Sequence, residues 1–141
     1  MKRIRNFVLF FVAFTLLYAC RREGHTDFVM VNKSNRDIGC QRQPSTSENG
    51  FLCNDGALCI SSDSSFNFSA PDSERKLRVW EDYLKHHKYI QILITDCDTF
   101  WEYRSKPCDT IHKYVPILHV YRLTLEDLER MDWKVVYPPV E

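Results

Sequence analysis

The sequence predicts an α+β fold, a mostly antiparallel sheet with short helices on one face and a loop-rich first half closing the other. Three observations predict it. Four stretches, residues 27–32, 89–95, 117–123 and 133–137, have the β-branched and aromatic content of strands. Between them lie short segments that open with helix-capping chemistry. Residues 1–19 read as a leader, and removing them leaves 122 of 141 residues, enough for one domain and too few for two of ordinary size. The expected organisation is a leader at 1–19, a tether at 20–26 and a single globular domain at 27–141. A β-sandwich with helical crossovers is the alternative architecture.

In chain order, Phe28-Val29-Met30-Val31 is apolar enough to lie inside a sheet. Asn32-Lys33-Ser34-Asn35 is turn chemistry, and residues 36–40 are expected to return as a second strand. Residues 41–50, with Pro44, Asn49 and Gly50, read as a surface loop. Residues 51–60 suit a hairpin about Asn54-Asp55-Gly56, and Phe66-Asn67-Phe68 alternates like a half-buried strand. Pro71-Asp72-Ser73 is placed to open a helix in which Leu77, Trp80 and Leu84 share a face, with Tyr83 beside them. Lys85, His86, His87 and Lys88 crowd its end, where positive charge suits the carbonyl end of the dipole. That explains the histidine pair before ligand binding does.

Residues 89–95 form the strongest strand, expected at the centre of the sheet. Asp96-Cys97-Asp98-Thr99 ends it, and Thr99 with Glu102 gives a capping-box pattern. A short helix bearing Phe100, Trp101 and Tyr103 should follow, with Asp96 in the turn and Asp98 or Thr99 as cap. Asp109 is placed to cap another short helix, with Ile111, Tyr114 and Val115 inward and Pro116 ending it. Ile117–Leu123 alternates, placing Ile117, His119, Tyr121 and Leu123 on one face. Thr124 is an N-cap whose box is completed by Asp127. Leu123 can staple to Leu128, and Leu125, Leu128 and Met131 form a buried stripe. Residues 133–137 make the last strand, finished by Pro138-Pro139.

The formal net charge is zero, but Lys2, Arg3 and Arg5 lie in the leader, so the remainder carries 16 basic against 19 acidic residues, about −3. No basic block survives, which argues against nucleic acid and anionic lipid surfaces as partners. Of six cysteines, five lie beyond residue 20. If they pair, one is left over, and fifteen patterns are open. The Asn54-Asp55-Gly56 turn sets Cys53 opposite Cys59, and Cys97 and Cys108 bracket a short helical stretch. That pattern, one of the fifteen, leaves Cys40 free. There is no C-x-x-C spacing, and neighbouring His86 and His87 diverge on a helix, so neither a metal nor a cofactor is expected.

The leader begins with the basic Met1-Lys2-Arg3-Ile4-Arg5, continues with an apolar run at 7–17 and ends on small Ala19, the pattern of a secretory signal. The run is too short for a membrane-spanning helix, and Arg21-Arg22 stops it. Leu17-Tyr18-Ala19-Cys20 resembles the lipobox of bacterial lipoproteins. The resemblance implies cleavage before Cys20, lipid on its sulfur, an acylated amine, and attachment to a membrane through that lipid. In that family an Asp after the Cys directs inner-membrane retention. Arg21 there implies the outer membrane, and the absence of an acidic export stretch implies a periplasm-facing domain. The tail Tyr121-Arg122-Leu123-Thr124-Leu125-Glu126-Asp127-Leu128, then Trp133 and Tyr137-Pro138, is similar to a group of short Bacteroidota lipoproteins, as are Asp96, Asp98 and Thr99. This second resemblance implies location and fold, and no activity.

Ile92 to Thr99 also resembles the first motif of the haloacid-dehalogenase phosphatases. The resemblance implies Asp96 as nucleophile and Asp98 as acid/base beside Mg²⁺, at the carboxyl edge of a parallel sheet. Thr99 falls one place early, and neither a second acidic-pair motif nor a Gly-rich phosphate loop follows, so the capping reading is preferred. A metal-dependent phosphohydrolase is the enzymatic alternative. Cys108 and His112, four apart, suit a thiol–imidazole pair without a third residue to orient the ring. His119 reads as a packed or rim residue. One short helix cannot bury Phe100, Trp101 and Tyr103 together, so at least one should face solvent or a partner, either a glycan or an envelope protein. The expected function is a lipid-anchored envelope protein acting as a binding or accessory module without catalysis.

Overall fold

Burial on both faces picks out one strand from all others: from Ile90 to Thr95 no residue of β5 (Ile90–Asp96) is more than marginally accessible. A strand so apolar must lie inside a sheet, and it does. In the computed structural model, which describes residues 24–43, 53, 56–71 and 78–139, β5 runs antiparallel between β2 (Ile38–Gln43) and β6 (Ile117–Leu123). β3 (Leu58–Ile60) extends the far edge of β2, giving the order β3-β2-β5-β6. A second sheet has β1 (Asp27–Asn32) between β4 (Ser65–Ser69), antiparallel, and β7 (Lys134–Tyr137), parallel. The helices α1 (Trp80–His86), α2 (Cys97–Tyr103), α3 (Cys108–Tyr114) and α4 (Leu125–Arg130) are all short. The class is α+β, with mostly antiparallel pairing and short helices packed on one face.

One expectation is corrected. The four strands assigned to a single sheet are shared between two, β1 and β7 in one and β5 and β6 in the other. Each sheet has one strongly apolar face, and division lets the two faces cover one another. Phe28, Met30, Phe68 and Val135 meet Ile38, Cys40, Ile60, Ile92 and Ile94 in one core, into which Trp80 of α1 and Leu128 of α4 insert. Three polar ties cross this core. Asn32, fully buried, donates from Nδ2 to the carbonyls of Arg36 (2.7 Å) and Ile60 (3.0 Å), while its Oδ1 accepts from Ser34 N–H (3.0 Å) and Ser34 Oγ (2.7 Å). Tyr121 of β6 donates its hydroxyl to the Val136 carbonyl of β7 at 2.6 Å. Trp80 Nε1 donates to the Phe68 carbonyl of β4 at 3.1 Å.

α1 starts at Trp80, since Val79 is extended (φ −124°, ψ 143°), later than the Pro71-Asp72-Ser73 start; residues 72–77 lie outside the described residues, as does Leu77. At its other end His87 has the expected helix-end role. Its N–H bonds the Tyr83 carbonyl at 3.2 Å, and its ring stacks on Tyr83 at 4.0 Å. The described part of the tether lies against α1: His25 Nδ1 is 2.7 Å from Glu81 Oε1, and its ring stacks on Trp133 at 3.8 Å. The leader, Cys20 and the Asn54-Asp55 turn lie outside the described residues.

The capping box of α4 is complete. Asp127 N–H donates to Thr124 Oγ1, and Thr124 N–H to Asp127 Oδ2, both at 3.1 Å. Leu123 and Leu128 are both buried, with Leu125 and Met131 packed beside the core. After α4, Asp132 (φ 51°) and Trp133 (φ 58°) are left-handed, so β7 begins at Lys134 and not at Trp133. A bulky residue there costs on the order of 1 kcal/mol, which burial of the indole offsets.

Asn32→Ala leaves the buried Ile60 carbonyl without its donor, while the Arg36 carbonyl keeps the Ser34 hydroxyl, and is expected to cost about 2 kcal/mol in urea unfolding of the disulfide-intact protein, at unchanged m-value. Thr124→Ala, which removes one cap, should cost about 1 kcal/mol.

Candidate functional site

The second face of the four-stranded sheet carries Gly39, Thr95 and Leu93; α2 lies against β2 and β5, and α3 packs on α2. Beneath them is a small second core of Phe100, Ile111 and Val115, with Tyr103, Ala57 and Cys53 at its rim. So small a cluster holds two helices weakly, and two disulfides reinforce it.

These are Cys59–Cys97 and Cys53–Cys108, with Cα separations of 5.8 and 5.5 Å. Among the described residues Cys40 is the free thiol, as the sequence suggested, but the pairing of Cys53 with Cys59 and of Cys97 with Cys108 is corrected. The reason lies in sheet register. Cys59 pairs with Gly39, which pairs with Thr95, two residues before Cys97. Gly39 leaves the row clear, since a Cβ there would collide with Thr95 Oγ1. Cys40 points into the main core at 2 % exposure, and burial pushes its thiol up to about 12, leaving it inert at neutral pH.

Asp96 is the N-cap of α2, earlier than the Asp98 or Thr99 expected. Its Oδ1 accepts from Thr99 N–H (3.0 Å) and Thr99 Oγ1 (2.7 Å), while Arg36 Nη1 stands 3.7 Å from Oδ2. The Thr99 backbone bond foremost, then its hydroxyl, hold the Asp96 carboxyl below the usual carboxylate range. Asp98 is exposed in the first turn. Both neighbours of β5 are antiparallel, so the parallel-sheet edge that the phosphatase resemblance implies is not found at Asp96. A carboxylate engaged by its own helix is poorly placed to attack phosphorus.

Trp101 and Tyr114 are the exposed aromatics of this layer, at 45 % and 48 %. Phe100 is buried, and Trp101 is the member of its trio turned outward. Its indole N–H donates to Cys59 Sγ at 2.8 Å, and the Arg104 guanidinium lies 3.6 Å over the ring. Tyr114 was expected inward. Ile111 and Val115, four apart, take the inner face of α3, and Tyr114 falls beside it, stacked on Tyr103 at 5.0 Å.

Cys108 and His112 do meet, Nε2 lying 3.9 Å from Cys108 Sγ, and Cys53 joins them with its Sγ 3.6 Å from the same nitrogen. The third member could not be read from spacing, because 55 residues separate the two cysteines. His119 packs edge-on against Tyr121 at 4.4 Å, a packed role as expected. Among the described residues no helix is long and apolar enough to cross a membrane. Comparison with protein-family models, curated proteins and solved structures finds no match for the chain.

Asp96→Ala is expected to lower stability by about 1 kcal/mol, and Asp98→Ala to change it by less than about 0.5 kcal/mol. Neither should alter turnover of a generic phosphate ester; loss of turnover on Asp98→Ala would restore the phosphohydrolase. Asp96 and Asp127 both titrate below their unfolded values, held down by Thr99 and by Thr124 respectively. Their stabilisation is therefore complete above the unfolded carboxylate pKa of about 4 and fades as pH falls through the folded values. Asp96→Asn should flatten the acid limb of a plot of urea midpoint against pH.

Proposed function

We propose that this chain is a bacterial envelope lipoprotein, anchored through lipid on Cys20, whose domain faces the periplasm from the outer membrane and serves as a binding or accessory module without catalysis. The observation that carries this reading is the α2–α3 layer, stapled by two disulfides and presenting Trp101 and Tyr114 to solvent. Two disulfides among five body cysteines suit an oxidising compartment, in agreement with the secretory leader. Exposed aromatics beside Arg104 on a rigid support have the composition of a protein-contact surface. A glycan platform using Trp101 is the second reading. It is favoured by the ring's exposure and disfavoured by the guanidinium covering one of its faces.

The intact mass of the cellular protein is expected to lack residues 1–19 and to carry acyl groups on Cys20, and Cys20→Ser should remain unprocessed. An unmodified sulfur at that position would sink the anchor. Photo-crosslinking in intact cells from position 114 should trap one envelope protein, whereas position 66, exposed on β4, should not. Equal, diffuse capture from both would remove the contact surface. A shift of Trp101 fluorescence with a glycan panel would favour the second reading.

A further inference from the structure

The two disulfides have unlike surroundings. Cys59–Cys97 is the more sheltered: Cys97 is buried, Cys59 is half-buried, the Trp101 indole N–H points at Cys59 Sγ, and Arg104 lies over that indole. Cys53–Cys108 is open, with Cys108 exposed and the His112 imidazole alongside. The two sulfurs and Nε2 all lie within 4.8 Å of one another.

In a tetrahedral zinc site with bonds of about 2.3 Å to sulfur and about 2.05 Å to nitrogen, the S···N edges are about 3.6 Å and the S···S edge about 3.8 Å. The observed S···N distances are 3.6 and 3.9 Å, so two edges of such a site stand in place while the cysteines are still joined. Only the sulfurs must part, from the bonded separation of about 2.0 Å to about 3.8 Å. Cys108 and His112 are four apart on α3, the spacing with which one helix chelates a metal, and Cys53 supplies the opposing ligand.

We infer that Cys53, Cys108 and His112 form a redox-gated site for a thiophilic divalent cation of the zinc type, closed as a disulfide and opened by a dithiol reductant. A thiolate of the dithiol attacks exposed Cys108 Sγ, and the Cys53–Cys108 bond breaks with its electron pair leaving on Cys53 Sγ, which takes a proton. The second thiol of the reductant then displaces Cys108 from the mixed disulfide. The reductant ends as a disulfide, and the protein gains two electrons and two protons. The cation replaces those two protons, giving a neutral bis-thiolate–imidazole complex with its fourth position open to water or a ligand. Cys40 takes no part, being buried in the main core. Cys59–Cys97 remains closed and keeps the α2 end of the layer in place.

The site shares the α2–α3 layer with the aromatic contact surface, but its test reads thiol labelling and metal binding and not partner capture, so the two readings fail separately. The full-length protein in detergent is treated with limiting dithiothreitol, and alkylation with peptide mass mapping reads which cysteines open. Cys53 and Cys108 should label well before Cys59 and Cys97. Titration with Co²⁺ should then give one equivalent of tetrahedral visible bands with thiolate-to-metal charge transfer, displaced by Zn²⁺ and not formed by the oxidised protein. His112→Ala should weaken binding by at least about 10-fold, the lower range for losing even an outer-shell partner, while leaving the oxidised protein's stability unchanged. Cys53→Ser with Cys108→Ser should abolish the bands; should that variant fail to fold, the His112→Ala titration decides alone. Opening of Cys59–Cys97 first, no stoichiometric Co²⁺ band after reduction, or a band indifferent to His112→Ala would each overturn the site.

Discussion

The carboxamide of Asn32 is the interaction on which the two-sheet body depends. It sits at the end of β1, where the chain leaves one sheet for the other, and it is wholly enclosed. All four of its hydrogen-bonding valences are used: two donors to the Arg36 and Ile60 carbonyls, and one oxygen receiving both the N–H and the hydroxyl of Ser34. Apolar contact between sheets is non-directional and would tolerate sliding. A buried amide satisfied by groups from β3 and from the β1–β2 turn tolerates very little, because each lost bond leaves a polar atom in a low dielectric. Tyr121 repeats the device across β6 and β7, where burial drives its phenol well above its ordinary value and keeps it a donor.

The second face of the four-stranded sheet is held by different means. Its helices are seven residues each, too short to persist alone, and among the described residues the core beneath them has three buried apolar side chains. The staples are nested: Cys59–Cys97 lies inside the loop closed by Cys53–Cys108. Once the inner bridge exists, the outer one closes a much shorter ring. Its separate entropic contribution is correspondingly smaller than the roughly 4 kcal/mol its sequence separation suggests. By the same model, losing either bridge from the doubly closed body costs nearly the same, so exposure of Cys108 against burial of Cys97, and not loop entropy, distinguishes the two.

What was legible in the sequence was local. The box of Thr124 and Asp127 is written in four residues, and the β-branched, largely apolar run of β5, interrupted only by Gln91 before Thr95, announces a central strand. That a short helix turns at least one of Phe100, Trp101 and Tyr103 outward was legible for the same reason, whereas Cys40 came out free although the pairing that left it over was wrong. What was not legible is long-range. The parallel pairing of β1 with β7 joins opposite ends of the chain, and no pattern in either strand names its neighbour. Disulfide partners depend on the β3-β2-β5 register, so pairing each cysteine with a near neighbour in sequence gave the wrong bridges. At α2 the failure was between close competitors: Asp96, Asp98 and Thr99 are all capping residues, and the extended backbone at Asp96 (φ −75°, ψ 125°) decided among them.

The parallel course of β1 and β7 also gives the body a direction. β1 departs from the docked tether at Asp27, and β7 runs beside it the same way, with Tyr137 opposite Asn32. The polypeptide thus enters at one pole and reaches Tyr137 at the other, about 20 Å away along six residues of strand. A reporter fused after Pro139 would leave from the pole opposite His25 and the start of β1.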